Sequence, residues 1–94
     1  MKDKIEKKNE LEAILKNSIW ENPLFGLSYK FQNESDLWIN GNAHFNYKID
    51  IENDRLVLKF FPNGQDFFIE LKYGEIIYLQ DDKQQFELSL SRKL

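Results

Sequence analysis

The stretch Ala43-His44-Phe45-Asn46-Tyr47-Lys48-Ile49-Asp50-Ile51 decides the fold. Every second residue is apolar, and the residues between them are His, Asn, Lys and Asp. Strand side chains point alternately to two faces, so this period of two makes a strand with one face in a core and the other in water. Working outward, the same period governs Leu27, Tyr29 and Phe31, then Leu37 and Ile39. On the C-terminal side it governs Leu56, Leu58 and Phe60, then Phe67, Ile69 and Leu71, then Ile77 and Leu79, and last Phe86, Leu88 and Leu90. Turn signals separate the runs: Asn33 to Asp36, Asn40-Gly41-Asn42, Glu52-Asn53-Asp54, Pro62-Asn63-Gly64, Tyr73-Gly74 and Asp81-Asp82-Lys83.

These runs make seven strands after Pro23, and a short strand around Ile19-Trp20 makes eight. No connection is long enough for a helical crossover, so the strands form an antiparallel up-and-down meander. A long sheet with one apolar face and two open edges must curl, into a small closed barrel or an open half-barrel. In this phase Phe45, Tyr47, Leu58, Phe67, Ile69 and Leu88 are expected to be buried together.

The first segment has a different rhythm. Residues 4–17 read as a helix, with Asp3 and Glu6 spaced as a capping box and Glu12 and Lys16 in the favoured order for an ion pair. Its apolar stripe is short: Leu11, Ile14 and Leu15, with Ile5 well off it. The chain is thus read as one mainly β domain, residues 1–94, with a helix in 1–18 and the meander in 19–94.

Composition narrows the function classes. With 94 residues and no cysteine, neither disulfides nor thiolate metal sites contribute, so packing alone must supply stability. A net charge of −3 disfavours a nucleic-acid backbone as the main partner. The first residues hold no apolar run of a secretory signal and no segment is long enough to span a membrane, so cytoplasm is the expected location. Lysine, isoleucine and asparagine outweigh arginine, the codon bias of an AT-rich bacterial or phage genome.

Several residues together suggest a family. Trp20 sits on the first strand, Phe31 precedes a turn and then Leu37, Ile39 and Gly41, and the runs Tyr47-Lys48-Ile49, Leu56-Val57-Leu58, Phe68-Ile69-Glu70-Leu71 and Ile77-Tyr78-Leu79 follow, closing on Phe86 to Arg92. This order resembles small bacterial lipocalin-like (calycin) domains. The resemblance implies an eight-stranded barrel in which Trp20 and Arg92 stack across the closed end. It also implies a small apolar ligand. Ser18 stands where that family has glycine before the tryptophan, and the leading helix is a further departure.

Motifs that carry chemistry are sparse. Asp50, Glu52 and Asp54 alternate like calcium ligands, but Arg55 and Phe61 occupy the positions where an EF-hand loop needs Gly and a carboxylate, so a solvated hairpin is expected. Asp81-Asp82 likewise reads as an acidic turn. His44, the only histidine, has no partner specified by the sequence and is expected at the surface. Ser89 and Ser91 lack any nucleophile context. The lysines at 2, 4, 7 and 8 are diluted by Asp3, Glu6 and Glu10 and read as a solvated helix face. No cofactor, metal or catalytic residue is implied, and an enzyme is not expected.

One set breaks the pattern. Trp38, Val57, Phe61, Phe68, Ile76 and Tyr78 are apolar but out of phase with the core. Either the helix covers them, or a small second core forms, or they contact a partner. Leu11, Ile14 and Leu15 supply too little surface to shield them all. Trp38, Phe61, Phe68, Ile76 and Tyr78 are therefore the partner-binding candidates, for another protein or a second copy of the chain. The expectation is a non-enzymatic binding protein: an inhibitor, an immunity-type protein or a phage-type anti-defence factor. The alternative is a lipocalin-like binder of a small apolar ligand.

Overall fold

The alternation centred on Tyr47 continues through the longest strand of the computed structural model, which describes residues 2–61, 64–81, 83 and 85–93. A helix, α1 (Lys2–Lys16), precedes eight strands: β1 (Ile19–Asn22), β2 (Leu27–Phe31), β3 (Asp36–Ile39), β4 (Ala43–Glu52), β5 (Arg55–Phe61), β6 (Phe67–Lys72), β7 (Ile76–Asp81) and β8 (Glu87–Arg92). A short 3-10 turn, Pro23–Phe25, links β1 to β2. Each strand pairs antiparallel with the next, and β1 closes on β8 with Trp20 opposite Arg92 and Glu21 opposite Ser91. The barrel is closed, which leaves no strand at an open sheet edge. No helix among the described residues is long and apolar enough to cross a membrane.

Turn chemistry sets the register. Asn53 and Asp54 both take positive φ between Glu52 and Arg55, the two-residue hairpin geometry whose twist matches the flanking strands. Asn33 organises the β2–β3 turn: its carboxamide oxygen accepts from the backbone N–H groups of Ser35 and Asp36 at 2.8 and 2.9 Å. The Tyr47 hydroxyl donates to the Asn33 carbonyl at 2.5 Å, tying that turn to β4. The expected turn at Pro62 and Asn63, and Asp82 of the acidic turn, lie outside the described residues.

Eight strands enclose a space that side chains alone can fill. Trp20, Phe31, Leu37, Leu58, Ile77, Leu79 and Leu90 fill it and are almost wholly buried. Of the six side chains expected to be buried together, Tyr47, Leu58, Ile69 and Leu88 are. Phe67 is only half-buried, and Phe45 remains 40% exposed. Their phase is inward, but both stand at the end of the barrel opposite α1, which no helix among the described residues caps.

The other end is capped. Leu11 and Leu15 of α1 are buried in the same cluster as the strand interiors, so the helix plugs the barrel rather than lying along its wall. The Asn17 carboxamide donates to the Ala13 carbonyl and ends the helix, and Lys16 pairs with Glu34 of the β2–β3 turn at 2.7 Å. That pairing holds the Glu34 carboxyl below its ordinary range. Asp3 lies inside the first turn of α1 instead of capping it, because the helix begins one residue earlier, at Lys2.

The plug corrects one reading of the out-of-phase residues: the apolar stripe Leu11, Ile14 and Leu15 packs with the barrel core and is not spread over them. Cross-strand neighbours cover part of them. The Arg55 guanidinium lies 3.7 Å over the Phe68 ring, Lys72 Nζ lies 4.7 Å over Tyr78 and Lys48 Nζ lies 5.9 Å from Phe61. The His44 ring packs on Trp38 at 4.9 Å.

The Trp20–Arg92 stack is also replaced. The two residues face each other across the β1–β8 seam, but Arg92 Nε donates to Ser18 Oγ at 2.7 Å and Nη1 to the Gly74 carbonyl at 3.4 Å. Two acceptors within reach outcompete a ring face for the guanidinium. Arg92 therefore ties the start of β1 and the β6–β7 turn to the end of β8.

Two predictions follow from the plug and the seam. Leu15→Ala should destabilise the protein by about 2–5 kcal/mol in urea unfolding, while Ile5→Ala, on the exposed side of the helix, should change the midpoint little. Arg92→Ala should cost about 1–3 kcal/mol through the lost charged hydrogen bonds, and Lys93→Ala much less.

Candidate functional site

In an up-and-down barrel, successive connections alternate between the two ends. The Pro23–Phe25 turn, the turn at 40–42, the β5–β6 connection and the β7–β8 connection all lie opposite α1. Towards that end, four phenylalanines stand in the inward phase of β4, β5 and β6 or just before β8. Phe45, Phe60, Phe67 and Phe86 form an arc, each ring 5.7–5.9 Å from the next and tilted or edge-on to it. Such pairs are worth about 0.5–1.5 kcal/mol beyond their buried area, so the arc has a defined shape. It is partly exposed: Phe45 and Phe86 are 40% and 44% exposed, and Phe60 and Phe67 are half-buried. At the same end, Phe25 and Leu24 project from the 3-10 turn at 68% and 92% exposure.

Backbone features hold the arc in place. The Asp81 carboxylate accepts from the N–H groups of Gln85 and Phe86 at 2.7 and 3.1 Å, which folds Phe86 back over Phe67. Asp81 is itself buried, so it is the anchor of its loop and not the solvated turn acid expected from the sequence. β5 and β6 pair only through Val57–Phe68 and Leu58–Phe67, so the last residues of β5 stand free of β6. Gly64 sits against Phe60 there, and a Cβ at Gly64 would collide with the Phe60 side chain.

The space left beside Phe45 and Phe60 is an open hollow of about 500 Å³, bounded also by Tyr29, Ile39, His44, Phe61 and Gln65. Its floor is closed, because Tyr29, Phe31 and Tyr47 fill the barrel beneath it. Burial raises the pKa of the Tyr29 and Tyr47 hydroxyls above the ordinary tyrosine range, with nearby carboxylates adding to the effect at Tyr47.

His44 is at the surface, as expected, and has a partner there that the sequence does not specify. Its Nε2 lies 2.8 Å from Asp36 Oδ1, and Asn33 donates to the other Asp36 oxygen at 2.8 Å. These bonds, Asn33 first and His44 second, lower the Asp36 pKa. No nucleophile joins the pair, and no cluster of three or more potential metal ligands occurs among the described residues. Asp50 and Glu52 lie in β4 and Asp54 in the turn after it.

The five partner-binding candidates occupy two walls. Trp38 and Phe61 flank β4 near the open end, opposite His44 and Asn46 respectively. Phe68, Ile76 and Tyr78 lie on β6 and β7, out of phase with Phe67 and so on the outer face of the barrel. Phe61, Tyr78 and Trp38 are exposed, whereas Phe68 and Ile76 are half-buried and Val57 is fully buried on the outer face. Sequence reasoning assigned Phe45 and Phe67 to the core and passed over Phe25, Phe60 and Phe86 as site residues. A signal was available: four aromatics lie in phase beside connections that all share one end. No protein-family model matches the chain, and no solved structure matches it significantly.

The Asp36 contacts can be tested separately. A carboxyl whose pKa is lowered by folding favours the folded state above its ordinary pKa near ~3.9 and loses that contribution as pH falls through the lowered value. Followed by carboxyl carbon NMR, His44→Ala should raise the Asp36 midpoint part of the way to the ordinary value. Asn33→Ala should raise it further. An Asp36 midpoint unmoved by both changes would contradict these contacts.

Proposed function

We propose that this protein works by binding another protein through the aromatic open end of its barrel, without catalysis, as an inhibitor, an immunity-type protein or a phage-type anti-defence factor of the cytoplasm. The observation that carries this reading is the partly exposed arc Phe45–Phe60–Phe67–Phe86 at the same end as the projecting Leu24 and Phe25. Exposed aromatic clusters of this kind supply the few residues that dominate an interface. The packed floor beneath the arc favours contact with a surface over swallowing a ligand. Trp38 and Phe61 extend the contact area on one side.

A second reading rests on the hollow beside Phe45 and Phe60, whose roughly 500 Å³ is within the range of small-molecule sites. Under it the protein is a lipocalin-like binder of a small apolar ligand, in keeping with the resemblance of its strand order to calycin domains.

One set of variants separates the two. Phe25→Ser with Phe86→Ser alters the rim, and Gln65→Trp narrows the hollow from its exposed edge. The first reading expects the rim variant to lose partner capture from a lysate of the source organism, or self-association in light scattering, while keeping its unfolding cooperative. Loss of about 2 kcal/mol or more of binding energy per anchor is the expected scale. A wild-type protein that stays monomeric, captures nothing and takes up an apolar dye that Gln65→Trp excludes would favour the second reading and overturn the first.

A further inference from the structure

The plug helix fits the barrel over only half its length. Leu11 and Leu15 seat inside it, but the turns before them bring lysines to the same side, with Lys4 half-buried. The barrel residues beneath those turns, Leu56 and Leu71, are only half covered in consequence. Between them lies a cleft of about 340 Å³ with a floor of Leu11, Leu56, Ile69 and Leu71. Lys4, Lys7 and Arg55 line its upper side together with Glu10 and Glu70.

The geometry points to this cleft as a binding site for an organic monoanion, a carboxylate carried on a compact apolar body. The apolar floor takes the body. The headgroup is selected by charge: three cations face two carboxylates, leaving one positive charge unmatched. None of these five groups forms an ion pair among the described residues. Arg55 is held in place by its stack on Phe68, so one of the three cations is already oriented. A polyanion such as a nucleoside diphosphate is disfavoured, because its further charges meet Glu10 and Glu70. The size suits a small molecule, at the lower end of the range of about 300–1,000 Å³ for ligand pockets. This site lies at the opposite end from the aromatic arc, so it stands or falls independently of the function proposed above.

The test uses the full chain, isotope-labelled, titrated with 4-phenylbutyrate, the neutral 4-phenylbutanol and inorganic phosphate. Saturable amide shifts at Leu11, Ile69 and Leu71 with phenylbutyrate, and weak or no response to the other two, are expected. Lys4→Gln with Lys7→Gln should weaken binding roughly tenfold or more, as losing charged hydrogen bonds does. Glu70→Gln should tighten it, an opposite sign that partial unfolding cannot imitate. The inference is overturned if phenylbutanol binds as well as phenylbutyrate, if phosphate alone binds equally, if the shifts centre on Phe45 and Gln65, or if nothing saturates.

Discussion

The insertion of Leu11 and Leu15 into one end of the barrel is the constraint on which the rest depends. Eight strands of this length leave a channel whose walls are satisfied by the ladder but whose two ends are open to water. The two leucines bury themselves against Tyr47, Leu58 and Ile69 and turn one end into core. Each such side chain contributes about 1.5–3 kcal/mol when fully buried. Among the described residues no second α-helix repeats this at the far end. The inward residues there must meet each other and water, and they do so as the arc of phenylalanines.

The outer wall follows a separate logic. An aromatic ring on the wet face of a sheet is costly to leave bare, yet there is no second layer to cover it. Arg55, Lys72, Lys48 and His44 lie against Phe68, Tyr78, Phe61 and Trp38 from the same or a neighbouring strand. Their hydrocarbon stems and positive or polar ends suit the ring faces. The pairing quiets part of the apolar outer surface without hiding it, and the exposed apolar character is concentrated at the open end.

The two ends thus acquire opposite character. The plugged end carries the lysines and carboxylates of α1, the Glu34–Lys16 pair and the Arg92 hydrogen bonds. The open end carries phenylalanines and a turn whose Leu24 and Phe25 project into solvent. Much of the candidate site was nevertheless visible in the sequence as residue types. Phe45, Phe60, Phe67 and Phe86 each stand in the inward phase of a strand or just before one. What marks them as a site is their height along the barrel axis, which a period of two does not encode.

The sequence by itself determined the elements and their order. Strict alternation around Tyr47, turn residues between the runs and connections too short for a crossover leave only an antiparallel meander, and the short stripe Leu11, Ile14 and Leu15 marks a helix with little to bury. These are local properties, readable from neighbours in the chain. Three matters were decided only in the tertiary structure. Whether the sheet closes depends on β1 meeting β8, some seventy residues apart in the chain. Whether the helix covers the wall or plugs the end depends on where the closed barrel leaves space for leucines. Whether Arg92 stacks on Trp20 or bonds to Ser18 and Gly74 depends on which acceptors that closure brings within reach. Each is a competition between distant groups for the same position, and periodicity along the chain carries no information about which of them wins.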